Sequence, residues 1–240
     1  SSSAIFGIPK KNPVDENTLP SPQEEYGAAK YEGEKICEQY SGSELSVSII
    51  RPRTILGHGR LGVFSILFGW VKEGINIPVL NNGENIYQFI HADDLADALI
   101  LSSKSNQPIS FYNIGSEGFG TMRETLTSLC KYADSGSKVY SLPLRPIEII
   151  MNFTSYVGIS PLGPYHSLMY GRSLYFDINK AKNELGFKPK YDSNKMLMES
   201  YDWYVKHIYG KNFLEKNTSE HRKPVKELAL SSVRLLSRFL

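Results

Sequence analysis

Residues 24–52 read EEYGAAKYEGEKICEQYSGSELSVSIIRP, and this stretch decides the fold class. Its first part, Glu24–Tyr40, is rich in Ala, Glu and Lys, which favours a helix. Leu45–Ile50 is rich in Val and Ile and predicts a short buried strand, which we expect Pro52 to stop because proline cannot donate to a sheet. A helix followed directly by a buried strand is typical of α/β proteins.

The alternation continues along the chain. We predict helices over Val63–Lys72, Met122–Tyr132, Pro146–Tyr156, Asn179–Leu185 and Asn194–Ile208, and one that runs through Leu101 after an N-cap at Asp93 or Asp94. We predict strands over Ile75–Leu80, Ile86–Ile90, Phe111–Ile114 and Lys138–Leu142.

The composition argues against several classes of function. The chain has 27 basic and 25 acidic residues, well mixed, so it offers no broad basic surface for nucleic acid. Cys37 and Cys130 belong to no CxxC or Cys/His cluster, which argues against a zinc site or a disulfide framework. The histidines lack ligand spacing, so we expect no metal. Without a signal peptide or an apolar run of membrane-spanning length, we expect a cytoplasmic protein with reduced thiols.

Residues 211–240 differ from the rest of the chain, and we expect them to form a linker and an amphipathic helix. From Val225 onward, apolar residues share one helical face and charged residues lie opposite. Two interpretations stay open. The helix docks on its own domain or on a dimer partner, or it makes a weak contact with a membrane surface.

Tyr26 and Lys30 carry the clearest chemical pattern in the sequence. Four residues apart on a predicted helix, they share a face, and a lysine ammonium there stabilises the phenolate that a general base requires. The pattern alone is weak, because residues 31–35 and 191–195 have the same YxxxK spacing. Only the first copy follows a Ser-rich stretch, Ser1–Gly7, that we expect to end a strand, and a proline, Pro22, at the expected distance.

Further motifs accompany this pair in order. They are Ser1–Gly7, Tyr26–Lys30 with Glu34, Arg51-Pro52 with Gly57, Phe89–Ala98, Tyr112–Gly115, and Asp177 with Leu185–Pro189. Together they resemble the extended short-chain dehydrogenase/reductase family of NAD-dependent epimerases and dehydratases. The resemblance implies an α/β fold: the C-terminal half of a Rossmann-type parallel-sheet domain with a small mixed substrate-binding subdomain.

By this resemblance, Ser2, Tyr26 and Lys30 are the catalytic residues. Tyr26 is expected to take or give the proton of a substrate hydroxyl while hydride moves to or from NAD or NADP. Ser2 would hydrogen-bond the same oxygen, and Lys30 would bind the cofactor ribose. The expected cofactor contacts within this chain are Tyr26, Lys30 and Pro52, with Pro52 facing the nicotinamide.

The dinucleotide-binding glycines of the family are not expected in this chain. Residues 57–62 read GHGRLG, which formally matches GxGxxG, with Glu84 further on. We reject a dinucleotide site there because the first glycine of that fingerprint belongs at a strand end, and six residues separate Ile50 from Gly57. The resemblance implies that the fingerprint lies in an N-terminal half, which we expect this chain to lack.

The sequence predicts three parts. Residues 1–56 would be the second half of the Rossmann-type domain with the catalytic helix. Residues 57–210 would interleave the substrate-binding subdomain with the remaining Rossmann elements, and residues 211–240 would be the tail.

The resemblance also bears on the substrate. The family's sugar 4,6-dehydratases carry Asp and Glu after the catalytic Ser or Thr, where this chain has Ser3 and Ala4, so we expect epimerisation or alcohol oxidation. Arg53, Tyr87 and Arg172 are the expected substrate contacts. Tyr87 stands where many nucleotide-sugar enzymes have an arginine for the substrate diphosphate.

The sequence therefore predicts an NAD(P)-dependent epimerase or dehydrogenase, with a nucleotide sugar as the favoured small-molecule substrate and a homodimer as the expected assembly. Two alternatives stay open. One is a dehydrogenase or reductase of a non-sugar alcohol such as a steroid-like compound, which Tyr87 motivates. The other is a non-catalytic binding protein on the same fold, which the missing dinucleotide half motivates.

Overall fold

The computed structural model describes residues 1–42, 44–149, 169, 171–210, 234 and 237. A 3₁₀ turn at Ser3–Phe6 is followed by helices α1 (Glu25–Tyr40), α2 (Phe64–Lys72), α3 (Ala92–Ser102), α4 (Met122–Ala133), α5 (Asn179–Leu185) and α6 (Ser193–His207). Residues 144–149 are also helical. The strands are β1 (Val47–Pro52), β2 (Thr54–Leu56), β3 (Ile77–Leu80), β4 (Phe89–His91), β5 (Ile109–Ile114) and β6 (Val139–Leu142). All named strand pairs are parallel, so the predicted α/β class is confirmed.

The chain divides into two compact units built from interleaved segments. Unit 1 comprises Ser1–Leu56, Asn85–Gly120 and Arg172–Met196. Unit 2 comprises Gly57–Glu84, Thr121–Gly171 and Leu197–Leu240. Neither unit is a continuous stretch of sequence.

The parallel strands of unit 1 change partners at Arg53. β1 pairs with β5, with Val47 opposite Ile109, and β2 pairs with β4, with Thr54 opposite Phe89. Arg53 lies between β1 and β2 and donates its backbone N–H to the carbonyl oxygen of Ile114 (2.9 Å). The chain therefore passes from one partner strand to the next at a single residue.

A late segment of the chain completes the core of unit 1. Phe176 forms a parallel bridge with Val14, and Leu174 forms one with Tyr87. Phe176 also packs edge-on against Phe6, with ring centres 5.7 Å apart. These contacts join the N-terminal segment and Tyr87 to a segment that comes about 90 residues after Tyr87 in the sequence.

Unit 2 contains β3 and β6 together with α2, α4 and the part of α6 from Leu197 onward. Phe68 of α2 is fully buried and meets the ring of Tyr201 of α6 edge-on at 5.9 Å. Arg123, in the first turn of α4, donates to the carbonyl oxygens of Asn82, after β3, and Val139, in β6. Aromatic packing and this arginine hold the helices and the strand pair together.

Two residues of the predicted tail are described, and both contact unit 2. Arg234 forms an ion pair with Glu73, and the hydroxyls of Ser237 and Tyr140 are hydrogen-bonded at 2.7 Å. The rest of the predicted linker and amphipathic helix lies outside the described residues. These contacts support docking of the tail on its own domain, and membrane contact stays a prediction. None of the described helices has the length and apolarity that crossing a membrane requires.

Most predicted elements are found within one to three residues of their expected bounds. Three details differ. Ser1–Gly7 contains a 3₁₀ turn rather than the end of a strand, the strand predicted over Ile86–Ile90 covers only Phe89–His91, and β1 includes Pro52 instead of stopping before it. A proline is tolerated at Pro52 because its nitrogen points away from β5, since the next residue, Arg53, donates its N–H to Ile114 of that strand. The helix predicted over Pro146–Tyr156 is described only as far as residue 149.

The N-cap predicted for α3 is wrong. The helix begins at Ala92, and the side chain of His91 caps it, since Nδ1 accepts the N–H of Asp93 at 3.2 Å. Asp93 lies in the first turn, where its negative charge interacts favourably with the helix dipole. Asp94 is fully buried, and its carboxylate accepts the N–H groups of Lys190 (3.0 Å) and Tyr191 (3.2 Å). A buried carboxylate needs such donors, and burial raises the pKa of Asp94.

The glycine-rich loop at 57–62 directly follows a strand that the sequence analysis did not predict. A strand, β2, does end directly before Gly57, so the reason given for rejecting a dinucleotide site is wrong. In a dinucleotide-binding βαβ unit, however, the strands on either side of the helix belong to one parallel sheet. Here β2 pairs with β4 and β3 pairs with β6, in separate sheets of the described chain. The topology therefore argues against a dinucleotide fingerprint in this loop.

Candidate functional site

The helix that carries Tyr26 and Lys30 begins where it does because Glu24 caps it. The Glu24 carboxylate accepts the N–H groups of Tyr26 (2.8 Å) and Gly27 (2.5 Å), which a helix leaves unpaired at its start. The negative charge of Glu24 also stabilises the helix through the partial positive charge at its N-terminus. Tyr26 consequently lies in the first turn of α1, with 51% of its surface exposed.

Ser2 lies in the neighbouring 3₁₀ turn, which Gly27 contacts closely. Ser2 is the N-cap of that turn, and its Oγ accepts the N–H of Ala4 at 3.2 Å. A Cβ added at Gly27 would lie 2.5 Å from the carbonyl oxygen of Ala4, so only glycine allows this approach. The contact brings the first turn of α1, with Tyr26, against the segment that carries Ser2.

All three YxxxK pairs place the ammonium over the ring. The distance from the lysine Nζ to the ring centre is 5.5 Å for Lys30 over Tyr26. It is 4.5 Å for the pairs at residues 31–35 and 191–195. The geometry within a pair therefore does not distinguish the catalytic candidate.

The surroundings of the three pairs do distinguish them. The hydrogen bond that Lys35 donates to Glu32 raises the pKa of Lys35. The ring of Tyr191 stacks on His91, with centres 3.8 Å apart. In the part of the chain that the structure describes, the Tyr26 hydroxyl and the Lys30 ammonium have no hydrogen-bond partner, and both residues are exposed. They alone combine the spacing with open access for a ligand.

A buried ion pair fixes α1 against β1. Glu34 lies one helical turn after Lys30, and both of its carboxylate oxygens accept hydrogen bonds from Arg51, at 2.9 and 2.7 Å. The Arg51 guanidinium also lies over the rings of Phe6 and Phe111. A bidentate pair has a fixed geometry, so it sets the rotation of α1 about its axis.

The expected cofactor and substrate contacts lie in unit 1 with the catalytic candidates. Pro52 ends β1 and is half-buried. Arg53 is 1% exposed and Tyr87 is 9% exposed, with the Tyr87 hydroxyl 2.8 Å from Oγ1 of Thr54. Arg172 is half-buried and lies two residues before the Leu174 bridge. Whether these side chains touch a ligand stays a prediction.

Sequence reasoning missed three residues that shape this site. The sequence offered a hint for Gly27, since a glycine directly after the candidate base suggests that another part of the backbone packs closely against the helix there. Ser3, which accepts a hydrogen bond from Arg53, had no signal beyond its place beside Ser2. Phe176 had none, because its partners are far away in sequence.

Comparisons with known proteins assign the N-terminal part of this sequence to a family. Residues 1–115 match the model of the NAD dependent epimerase/dehydratase family. An uncharacterised protein of Sinorhizobium fredii is 50% identical over 234 residues, which cover 96% of this chain and 58% of that protein. UDP-glucose 4-epimerase 4 of Oryza sativa subsp. japonica is 23% identical over 235 residues, covering 88% of this chain and 58% of that protein.

A solved structure of an epimerase has a similar fold. The structure of UDP-glucuronic acid 4-epimerase from Bacillus cereus in complex with NAD matches with a TM-score of 0.66 at 21% identity, over 86% of this chain and 60% of that one. This likeness confirms the Rossmann-type fold. The chain spans 58% of the length of both curated relatives. The family match therefore assigns residues 1–115 to the NAD-dependent epimerase/dehydratase family.

Proposed function

We propose that the protein to which this chain belongs is an NAD(P)-dependent epimerase or dehydrogenase that acts on a nucleotide sugar. The observation that carries this proposal is the exposed pair of Tyr26 and Lys30, held against the Ser2 turn by Gly27. A general base must be accessible to the proton that it removes, and its activating cation must lie close by. This pair meets both requirements.

The residues fit a nicotinamide cofactor. The exposed Lys30 ammonium has donors for ribose hydroxyls, and the Tyr26 hydroxyl lies on the same helix face. Pro52 has no N–H and offers an apolar surface at the end of β1. A bound NAD or NADP would supply the hydride acceptor and donor.

The side chains would divide the work as follows. The Ser2 hydroxyl donates a hydrogen bond to the oxygen of the substrate hydroxyl, and Tyr26, as phenolate, takes the proton. The hydride from the substrate carbon would go to a bound NAD⁺ or NADP⁺, and the substrate hydroxyl would become a carbonyl. Lys30 stabilises the phenolate electrostatically. For epimerisation, the hydride would return from the cofactor held by Tyr26, Lys30 and Pro52 to the opposite face of the substrate, and Tyr26 would return its proton, with no net oxidation.

The neighbours of Ser2 favour this chemistry over water elimination. Elimination needs an additional acid and base beside the substrate, and Ser3 and Ala4 provide no carboxylate. The names of the relatives, UDP-glucose 4-epimerase and UDP-glucuronic acid 4-epimerase, support a nucleotide sugar as substrate.

One observation favours a second candidate, a dehydrogenase of a non-sugar alcohol such as a steroid-like compound. Tyr87 provides no charge for a substrate diphosphate, and its hydroxyl is hydrogen-bonded to Thr54. In the nucleotide-sugar proposal, the half-buried Arg172 is the expected contact of the diphosphate.

A turnover screen on the protein expressed with any coding sequence that precedes Ser1 tests both candidates. The panel is UDP-glucose, UDP-glucuronic acid and a 3β-hydroxysteroid, each with NAD and with NADP. Absorbance at 340 nm reports net oxidation, and proton NMR of the sugar reports epimerisation. We expect turnover of a UDP-sugar. Turnover of the steroid alone would favour the second candidate, and binding of neither cofactor would favour a non-catalytic protein.

Matched variants on α1 test the assignment of the base. We expect Tyr26→Phe to lower kcat by about 10²- to 10⁴-fold, because it removes the proton acceptor. Tyr31→Phe removes a hydroxyl from the same helix and the same pattern, and we expect kcat close to that of the wild type. Equal effects of the two variants would contradict the role of Tyr26.

We also propose a homodimer that uses α1. This helix exposes large apolar side chains, with Ile36 54% exposed and Tyr40 73% exposed. Burial of such side chains favours association. Sedimentation analysis should show a dimer that Tyr40→Glu weakens, and a monomeric wild type would contradict this assembly.

A further inference from the structure

Arg53 is a buried cation with few hydrogen-bond acceptors. Its side chain is 1% exposed, and Nη1 donates to Oγ of Ser3 at 2.8 Å. Among the described residues, Nε and Nη2 of Arg53 have no hydrogen-bond partner. The guanidinium instead lies near two aromatic rings, with Cζ 4.9 Å from the ring centre of Tyr87 and 5.7 Å from that of Phe176.

Arg51, two residues earlier, is also a buried arginine but has the carboxylate partner that Arg53 lacks among the described residues. That partner is Glu34, which accepts two hydrogen bonds from Arg51. No ion pair of Arg53 is found among the described residues. A buried charge without a counterion is destabilising, and aromatic faces offset only part of that effect. The position therefore calls for a role that a neutral side chain could not fill.

The contacts of Arg53 converge on the turn that carries Ser2. Ser3, its acceptor, is the first residue of the 3₁₀ turn and directly follows Ser2. Phe176, beneath the guanidinium, packs edge-on against Phe6 at the other end of the turn. Arg53 is itself held by its backbone hydrogen bond to Ile114, at the point where β1 gives way to β2. A rigid strand junction is thus connected to the turn through one side chain.

We propose that Arg53 is a positioning residue that fixes the Ser2 hydroxyl through Ser3. This role differs from the substrate contact expected from the sequence, because its guanidinium nitrogens are enclosed by protein. The catalytic part of the inference rests on the proposed function of Ser2.

Amide hydrogen exchange of the whole chain tests the positioning without any substrate. The probes are the N–H groups of Ala4 and Gly7, which donate to Ser2 Oγ and to the Ala4 carbonyl oxygen. We expect Arg53→Met to accelerate both by about tenfold or more, because the turn loses its anchor. The amide of Asn81, bonded to Leu142 in unit 2, should not change. Arg145→Met, at an exposed arginine, is the matched control.

Two milder variants keep the test decisive if Arg53→Met does not fold. Ser3→Ala removes only the acceptor and should also accelerate exchange at Ala4. Arg53→Lys keeps the charge and should restore part of the protection. Wild-type exchange rates at Ala4 in both Arg53→Lys and Ser3→Ala would overturn the proposal.

Steady-state kinetics test the catalytic consequence, with UDP-glucose and NAD as the probes. We expect Arg53→Lys and Ser3→Ala to lower kcat about tenfold while the KM for UDP-glucose stays within about twofold. The reason is that a misplaced Ser2 hydroxyl stabilises the transition state less well but leaves substrate binding unchanged. A raised KM with unchanged kcat would show a substrate contact and overturn the positioning role. Failure of the wild type to turn over the panel would contradict the proposed function, and the exchange rates would still decide whether Arg53 holds Ser2.

Discussion

At the scale of single residues, the pair of Glu34 and Arg51 combines two charges in the interior of unit 1. Removing one partner leaves the other charge buried and unpaired. We expect Glu34→Gln to lower the free energy of unfolding by about 3–5 kcal/mol, measured by urea unfolding followed by circular dichroism. Glu32→Gln removes the exposed partner of Lys35 and should change the free energy of unfolding by less than about 1 kcal/mol. Similar losses in the two variants would contradict the importance of burial.

The two cysteines should differ in reactivity. Burial raises the pKa of the Cys130 thiol from 9.0 to about 11, while Cys37 is exposed on α1. Because the thiolate is the nucleophile, we expect DTNB at pH 8 to modify Cys130 only after unfolding. Rapid reaction of two thiols per folded chain would contradict this assignment.

The same pKa shift predicts a dependence of stability on pH. The unfolded chain loses the Cys130 proton at a lower pH than the folded chain does, since the folded pKa is the higher one. The folded chain then binds more protons, so this thiol makes stability fall as pH rises from about 9 to about 11. The Cys130→Ala variant should lose this component of the pH profile, which thermal unfolding in buffers across that range would measure.

At the scale of elements, Gly27 and Gly33 of α1 give opposite predictions for the same substitution. A Cβ at Gly27 would press on the Ala4 carbonyl, whereas one at Gly33 meets nothing within 4 Å. We expect Gly27→Ala to lower the free energy of unfolding by about 1–3 kcal/mol through overpacking. Gly33→Ala should raise it by about 0.5–1 kcal/mol through helix propensity. Chemical denaturation measures both, and stabilisation by Gly27→Ala would show that α1 does not rest on the 3₁₀ turn.

The elements also show what the sequence could and could not predict. Local pattern was enough for α1 and for the Tyr26–Lys30 face, because helix propensity and spacing act over a few residues. It failed for Asp94, whose donors at Lys190 and Tyr191 are distant in sequence, and so the acidic pair looked like a cap. The burial of Arg53 could not be predicted either, since it depends on the rings of Tyr87, two residues before β4, and of Phe176.

At the scale of the whole molecule, the interleaving of the two units makes unit 1 depend on a late segment. Residues 172–196 supply the bridges to Val14 and Tyr87 and the donors to Asp94. We expect a chain that ends at Gly171 to lack cooperative unfolding, because it loses these contacts. A chain that ends at Gly210 keeps the whole of unit 1 and should unfold cooperatively. Thermal melts followed by circular dichroism compare the two, and a cooperative melt of the shorter chain would contradict the assignment of 172–196 to unit 1.

The division into units has an optical consequence. Both tryptophans of the chain, Trp70 and Trp203, belong to unit 2, while the candidate catalytic residues belong to unit 1. Intrinsic tryptophan emission therefore reports the environment of unit 2, and a change near Tyr26 can leave that signal untouched. The emission of NADH itself is the better reporter of cofactor binding. A Leu99→Trp variant, at an exposed position of α3, would give unit 1 a fluorophore of its own and let the melting of the two units be observed separately.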